Sequence, residues 1–148
     1  MKSVVIGSDH AGFKAKEEVK QILQDLNITV EDMGVINETP IDYPIIAKKV
    51  CKRVLLNPSF GILICGSGEG MQMAANKIKG IRAGFCYDIY SAKKAREDNN
   101  ANVLTLRARE FDHALYKPII DTFLHTQFSK NVRHKRRVAE LFDLDLKK

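Results

Sequence analysis

Apolar positions follow two rhythms along the chain. Short continuous runs, Ser3-Val4-Val5-Ile6-Gly7-Ser8 and Gly61-Ile62-Leu63-Ile64, have the length and β-branched content of strands buried on both faces. Between them apolar residues recur at helical spacing: Phe13, Val19, Ile22, Leu23 and Leu26 predict a helix from Phe13 to about Asn27. A second strand is predicted over Ile28 to Met33, and a helix from Pro44, which suits a first turn, to about Leu56. After the strand ending at Cys65 come a helix reaching Lys79-Gly80, a strand over Ile81 to Cys86 and a helix over Ile89 to Asp98. A strand over Ala101 to Leu106 and helices over Phe111 to Phe128 and Arg133 to Leu144 complete the chain. The βαβαβαβαβα alternation defines an α/β class: a parallel sheet covered on both faces, with its site at the C-terminal ends of the strands.

The stretch Gly61 to Gly70 carries the most chemistry. It reads Gly-Ile-Leu-Ile-Cys-Gly-Ser-Gly-Glu-Gly, a buried strand running into a tight loop and then a helix. Glycines at 66, 68 and 70 remove side chains that would shield backbone N–H groups, so the loop can close around an oxyanion or phosphate. Cys65 stands at the mouth of that field, where a thiol pKa falls from its reference of about 8.5 and the sulfur becomes a nucleophile or base. The alternative is a buried core thiol beside a close-packed turn. The pattern is neither a P-loop, lacking Lys-Ser/Thr after the last glycine, nor a dinucleotide fingerprint.

Composition narrows the class. The chain has 148 residues, 45% of them hydrophobic, which is ordinary for one compact domain spanning 1–148. Three cysteines and no apolar leader predict free thiols in a reducing compartment, hence a soluble cytoplasmic protein; Cys51 and Cys86 read as core. No apolar run approaches the roughly 18 residues of a membrane span. The net charge of +6 is concentrated after residue 129, in Lys130, Arg133, Lys135, Arg136, Arg137, Lys147 and Lys148. No nucleic-acid motif accompanies that cluster, so a small anionic ligand fits it at least as well.

Several polar residues converge on the predicted sheet edge. Asp9 and His10 follow the first strand, Asp42 and Tyr43 precede the second helix, Cys65 and Ser67 follow the third strand, and Arg107 and Arg109 follow the fifth. Asp9 reads equally as a helix cap or a ligand-binding carboxylate, whereas His10 has no such structural task. Arg133 and Arg137, four apart, share a helix face as a phosphate clamp would, or form a solvated basic face beside Val138, Leu141 and Phe142.

Taken together these blocks resemble the ribose-5-phosphate isomerase B family, which includes allose- and galactose-6-phosphate isomerases. The resemblance rests on Gly7-Ser8-Asp9-His10-Ala11-Gly12, Asp42-Tyr43-Pro44, Gly61 to Gly68, Ala74-Ala75-Asn76-Lys77, Gly80-Ile81-Arg82-Ala83, Asn102-Val103-Leu104, and Arg133-His134 with Arg137. It implies a Rossmann-like three-layer α/β/α sandwich with a five-stranded parallel sheet, and an aldose-ketose isomerase that uses no metal or other cofactor. By that similarity Cys65 moves a proton between C2 and C1 through an enediolate, and Ser67 assists at the oxygens. His10, Arg133 and Arg137 hold the phosphate, and Asp9 and Tyr43 bind sugar hydroxyls or help open the ring. Gly66, Gly68, Glu69 and Gly70 surround the oxyanion. Asn99 and Arg109 match positions that enter from a partner subunit, which implies a homodimer or tetramer with shared sites, the C-terminal helix (about 133–144) contributing. Membrane and nucleic-acid partners are not expected. The favoured pair is ribose 5-phosphate and ribulose 5-phosphate; the alternatives are a six-carbon sugar phosphate or a non-catalytic sugar-phosphate sensor.

The chain departs from the family pattern twice. Asp98 stands where the family has the histidine that opens the furanose ring, and a carboxylate with a reference pKa near 3.9 is a poor acid at neutral pH. Arg107 stands where glycine is common, and it is expected to pair with Asp98 across the rim of the site.

Overall fold

The centre of the protein is a parallel sheet of β1 (Ser3–Ser8), β3 (Phe60–Cys65) and β5 (Val103–Arg107), extended at its edges by β2 (Thr29–Asp32) and β4 (Ala83–Phe85). Strand order across the five-stranded sheet is β2-β1-β3-β5-β4. The structure, a computed structural model, describes residues 2–145; Lys147 and Lys148 of the basic cluster lie outside the described residues. Helices α1 (Phe13–Asp25), α4 (Ile89–Glu97) and α5 (Tyr116–His125) cover one face, and α2 (Tyr43–Leu56) and α3 (Glu69–Asn76) the other. A final helix, α6 (Val132–Asp143), buries only Val138 among its described residues.

The central strands β1, β3 and β5 read as largely apolar runs because each feeds two cores. Successive strand side chains point to opposite faces. Val4, Ile6, Ile62, Ile64, Leu104 and Leu106 therefore join α1 and α5, while Val5, Leu63, Cys65 and Val103 join α2 and α3.

Several elements are shorter than their apolar pattern predicts, because side chains take over the backbone's hydrogen bonds. Asn76 ends α3 by donating its amide to the Ala83 carbonyl at 3.0 Å and accepting the Ala83 N–H at 2.8 Å. Arg82 N–H donates to Asn102 Oδ1 at 2.8 Å, so residues 81 and 82 approach β4 without joining it. The helix expected from Phe111 begins at Tyr116, after a 3-10 turn (His113–Leu115) that Asp112 caps through the Ala114 N–H, and it stops at His125 rather than Phe128.

One ion pair is unusually deep. Lys16 on α1 has a side chain only 1% exposed, and its ammonium donates to both oxygens of Asp32 at the end of β2, at 2.9 and 2.8 Å, and to the Val35 carbonyl. Asp32 also accepts the Gly34 N–H at 2.9 Å. Burial alone would raise its pKa, but Lys16, the Gly34 N–H and Lys20 outweigh that and hold the carboxyl below its ordinary 3.8. The pair anchors the start of the 33–42 connection, which is stitched to β1 by Met33 N–H on Ile6, Ser8 N–H on the Gly34 carbonyl, and Val35 N–H on Ser8.

Asp32→Asn leaves a buried ammonium with only the more distant Glu17 carboxylate, at 3.7 Å, as counterion. Breaking such a pair costs about 3–5 kcal/mol, and the lower end applies here because the Val35 carbonyl still accepts. A lowered carboxyl pKa means that the stability it supplies is complete above the unfolded value and disappears as pH falls through the folded value. Urea denaturation between pH 7 and pH 2 is expected to show the wild type losing stability below about pH 4 more steeply than Asp32→Asn, and the gap between them closing in acid.

Candidate active site

The C-terminal ends of β1, β3 and β5 open into a cleft of about 510 Å³. Asp9, His10 and Ala11 after β1, Tyr43 at the start of α2, Cys65 at the end of β3 with Gly66, Ser67, Glu69 and Gly70 beyond it, Phe85 at the end of β4, and Arg107 at the end of β5 with Arg109 beyond it line the cleft. Parallel strands with right-handed helical returns bring these segments to one edge, however far apart they lie in sequence.

β3 ties the edge together. Its Ile64 carbonyl accepts the Asp9 N–H at 3.3 Å, its Cys65 carbonyl the Ala108 N–H at 3.0 Å, and the following Gly66 carbonyl the Arg109 N–H at 3.0 Å. The thiol of Cys65 is buried at 4% exposure and accepts the Gly68 N–H at 3.2 Å. Gly68 caps α3 with φ of +80°, a conformation that glycine adopts freely and other residues do not. Glu69 N–H donates to the Ser67 hydroxyl at 3.3 Å, while the N–H of Gly70, in the first turn of α3, has no intrahelical acceptor. Anions are favoured at such a terminus. The other two thiols are shielded: burial pushes Cys51 up to about 12, and burial together with Asp88 does the same for Cys86.

The remaining walls are equally fixed. Asp9 does not cap α1, whose N-cap is Gly12; its Oδ1 accepts the Gly12 N–H at 3.0 Å in the turn before the helix. His10 Nδ1 accepts the Ile41 N–H at 3.3 Å, which leaves Nε2–H as the donor the ring can offer a ligand. The Tyr43 ring lies over Gly70, where a β-carbon would stand 2.9 Å from its Cζ. Arg109 places its guanidinium over Gly66, so it lines the cleft of its own chain and does not need a partner subunit to deliver it, as the resemblance implied. The segment bearing both arginines is held from behind. Tyr116 Oη–H donates to the Arg107 carbonyl at 2.7 Å, and His113 Nε2 donates to the Ala108 carbonyl at 2.8 Å while Nδ1 faces Glu18 at 3.0 Å. Burial opposes the charged form of His113, but the Ala108 carbonyl and Glu18 raise its pKa overall.

Asp98, Asn99, Arg133 and Arg137 are not in this cleft, and the reason is topological. A helix returning between parallel strands runs against them, so its C-terminus lies at the opposite edge of the sheet. Asp98 and Asn99 end α4 just before β5. α6 starts at the same edge, with Ser129 N–H on the Glu97 carbonyl at 2.9 Å and His134 Nε2 3.8 Å from Asp98. Asp98 faces Lys94 at 3.5 Å and His134; within the chain it makes no ion pair with Arg107, whose Nε donates to the Arg109 carbonyl at 2.7 Å. Asn99 borders a separate cavity beside β4, and Arg133 and Arg137 are exposed on α6. Of the lining residues, Phe85 was missed by sequence reasoning; its signal was the apolar end of a strand next to β5.

The sequence model of the family described as Ribose/Galactose Isomerase matches residues 4–141. The chain is 39% identical over 142 residues to ribose-5-phosphate isomerase B of Escherichia coli, covering 95% of each. It is also 39% identical over 140 residues to a Rickettsia conorii protein provisionally named a sugar phosphate isomerase, covering 94% of this chain and 96% of that one. The crystal structure of a ribose 5-phosphate isomerase from Thermotoga maritima superposes with a TM-score of 0.92 at 45% identity, over 96% of this chain and 98% of that one. The type B ribose 5-phosphate isomerase of Trypanosoma brucei gives a TM-score of 0.93 at 37% identity, over 97% and 99%. The chain belongs to the ribose/galactose isomerase family.

Two glycines of the loop are expected to differ in their tolerance of alanine. At Gly68 the positive φ costs about 1–2 kcal/mol for an L residue, and a β-carbon there would lie 2.6 Å from Phe85 Cε2. At Gly66 the nearest atom is the flexible end of Arg109 at 3.2 Å. Thermal unfolding should therefore show Gly68→Ala clearly destabilised and Gly66→Ala within about 0.5 kcal/mol of wild type.

Proposed function

We propose that the chain is a single-domain aldose-ketose isomerase that interconverts ribose 5-phosphate and ribulose 5-phosphate through an enediolate. The observation that carries this reading is the Cys65 sulfur, 3.2 Å from the Gly68 N–H at the N-terminus of α3, in the cleft that also holds Ser67 and Asp9. Cys65, as thiolate, takes the proton from C2 of the open-chain aldose and returns it to C1, while the Ser67 hydroxyl passes a proton between the two oxygens. Free N–H groups in the Gly66 to Gly70 loop stabilise the developing oxyanion; one preorganised donor of this kind is worth about 3–4 kcal/mol. Asp9 and Tyr43 bind sugar hydroxyls, and His10 offers Nε2–H to the phosphate.

The opposite-edge position of Asp98, Asn99, Arg133 and Arg137 supports a shared site in a homodimer or tetramer. A second copy would bring its far edge against this cleft, adding the phosphate clamp of Arg133 and Arg137 and the Asp98 carboxyl at the ring-opening position. The location that goes with this metabolic reading is the cytoplasm; among the described residues no helix is long and apolar enough to cross a membrane.

Hydrogen exchange with solvent deuterium, at C2 of ribose 5-phosphate and C1 of ribulose 5-phosphate, tests the reading in wild type and Cys65→Ala. Exchange and turnover from both sugars are expected, with a loss of at least about 10³-fold in Cys65→Ala. Exchange from the ketose alone would keep Cys65 as base and make ring opening at Asp98 the slow step. Absence of exchange from both would transfer the assignment to six-carbon sugar phosphates or to a non-catalytic sensor.

A further inference from the structure

We infer that Arg107 is a further catalytic residue, whose guanidinium neutralises the charge that develops on the C1 and C2 oxygens of the substrate beside Cys65. The inference rests on the isomerase reading above and adds a residue to its chemistry.

Position is the first argument. Arg107 and Cys65 are register partners on adjacent parallel strands. Paired residues of neighbouring strands stand about 4.8 Å apart and project to the same face, so the two side chains leave the sheet side by side, and both line one cleft. A sugar phosphate that presents C2 to the Cys65 sulfur carries its phosphate at the other end of the carbon chain. Arg107 therefore meets the reacting oxygens, not the phosphate.

Preorganisation is the second argument. The Arg107 carbonyl accepts from the hydroxyl of Tyr116, a fully buried residue, and its Nε donates to the Arg109 carbonyl at 2.7 Å. Both anchors leave the Nη groups unused, and among the described residues no carboxylate lies within ion-pair distance of them. Glu69 and Asp9, the acids of the cleft, do not neutralise it; Asp9 accepts from Gly12 instead. A cation already held in the cleft, here by the Arg109 carbonyl, contributes most to catalysis where negative charge forms beside it, because little has to reorganise when the charge forms. The loop N–H groups and this guanidinium then approach the enediolate from β3 and β5 respectively.

The test compares wild type with Arg107→Met and Arg107→Lys in the full chain. Its readouts are kcat and KM for both pentose phosphates, deuterium exchange at C2, inhibition by inorganic phosphate, and thermal unfolding. Arg107→Met is expected to lower kcat and exchange together by roughly 10²-fold, with KM, phosphate inhibition and the unfolding midpoint unchanged. Arg107→Lys should recover part of that loss. A higher KM and weaker phosphate inhibition at unchanged kcat would overturn the proposal in favour of a phosphate ligand. Unchanged kinetics would reduce Arg107 to a rim cation, and a lowered midpoint with no recovery in the lysine variant would reduce it to a structural one. A wild type that exchanges no proton with either sugar would remove the isomerase reading itself, and this role with it.

Discussion

Everything at the candidate site depends on how tightly the end of β3 is enclosed by its neighbours. A β-carbon at Gly12 would lie 2.7 Å from the Ile64 carbonyl, and one at Gly70 would enter the Tyr43 ring. Both neighbouring segments hydrogen-bond to the carbonyls of residues 64 to 66. There is no room at these points for side chains, so backbone approaches backbone, and the N–H groups of the loop after Cys65 remain close to the thiol. The apolar runs of β1, β3 and β5 make this possible: packed on both faces, they are a rigid base from which short loops can hold sub-ångström geometry.

The buried polar groups extend that rigidity outward. Lys16 and Asp32 fix the exit from β2, and the connection they anchor brings Ile41 N–H onto His10. Arg96, 8% exposed, performs a comparable task at the other edge. Its guanidinium lies over Phe60 at 4.8 Å and Phe123 at 5.8 Å and donates to Asn100 Oδ1 and the Ala101 carbonyl, locking the end of α4 against β3 and α5. Desolvation and the nearby Arg82 lower its pKa, yet an arginine remains charged at any working pH. The end of α4 that carries Asp98 and Asn99 is therefore held as firmly as the cleft.

The alternation of elements was legible in the sequence because the central strands β1, β3 and β5 are short apolar runs and α1, α2 and α5 carry clear apolar stripes. The residues of one edge were legible for the same reason: once Asp9, Cys65 and Arg109 are assigned to strand ends, parallel topology brings them together. Boundaries at β4 and α5 were not, because Asn76, Asn102 and Asp112 redirect backbone hydrogen bonds through side chains that composition does not distinguish from loop polars. The proposed pairing of Arg107 with Asp98 within a chain failed on direction. Both flank β5, but at opposite ends of it, and sequence proximity hid a full strand length between them.

That separation is the more informative result. A parallel sheet is polar: one edge collects strand exits and helix N-termini, the other helix exits and strand beginnings. Here the exit edge holds Cys65, the glycine loop, His10, Arg107 and Arg109, while the entrance edge holds Asp98 and Asn99 with the first turn of α6 beside them. A single chain cannot fold one edge onto the other without breaking the sheet. If both sets act on one phosphosugar, the physical means available is a second copy, and charge favours it: Arg133 and Arg137 are exposed cations with no ion-pair partner among the described residues, suited to close over an anion held in a neighbouring cleft. The division of the residues between the edges follows from the handedness and polarity of βαβ connections alone, so it is already present in the order of elements along the chain.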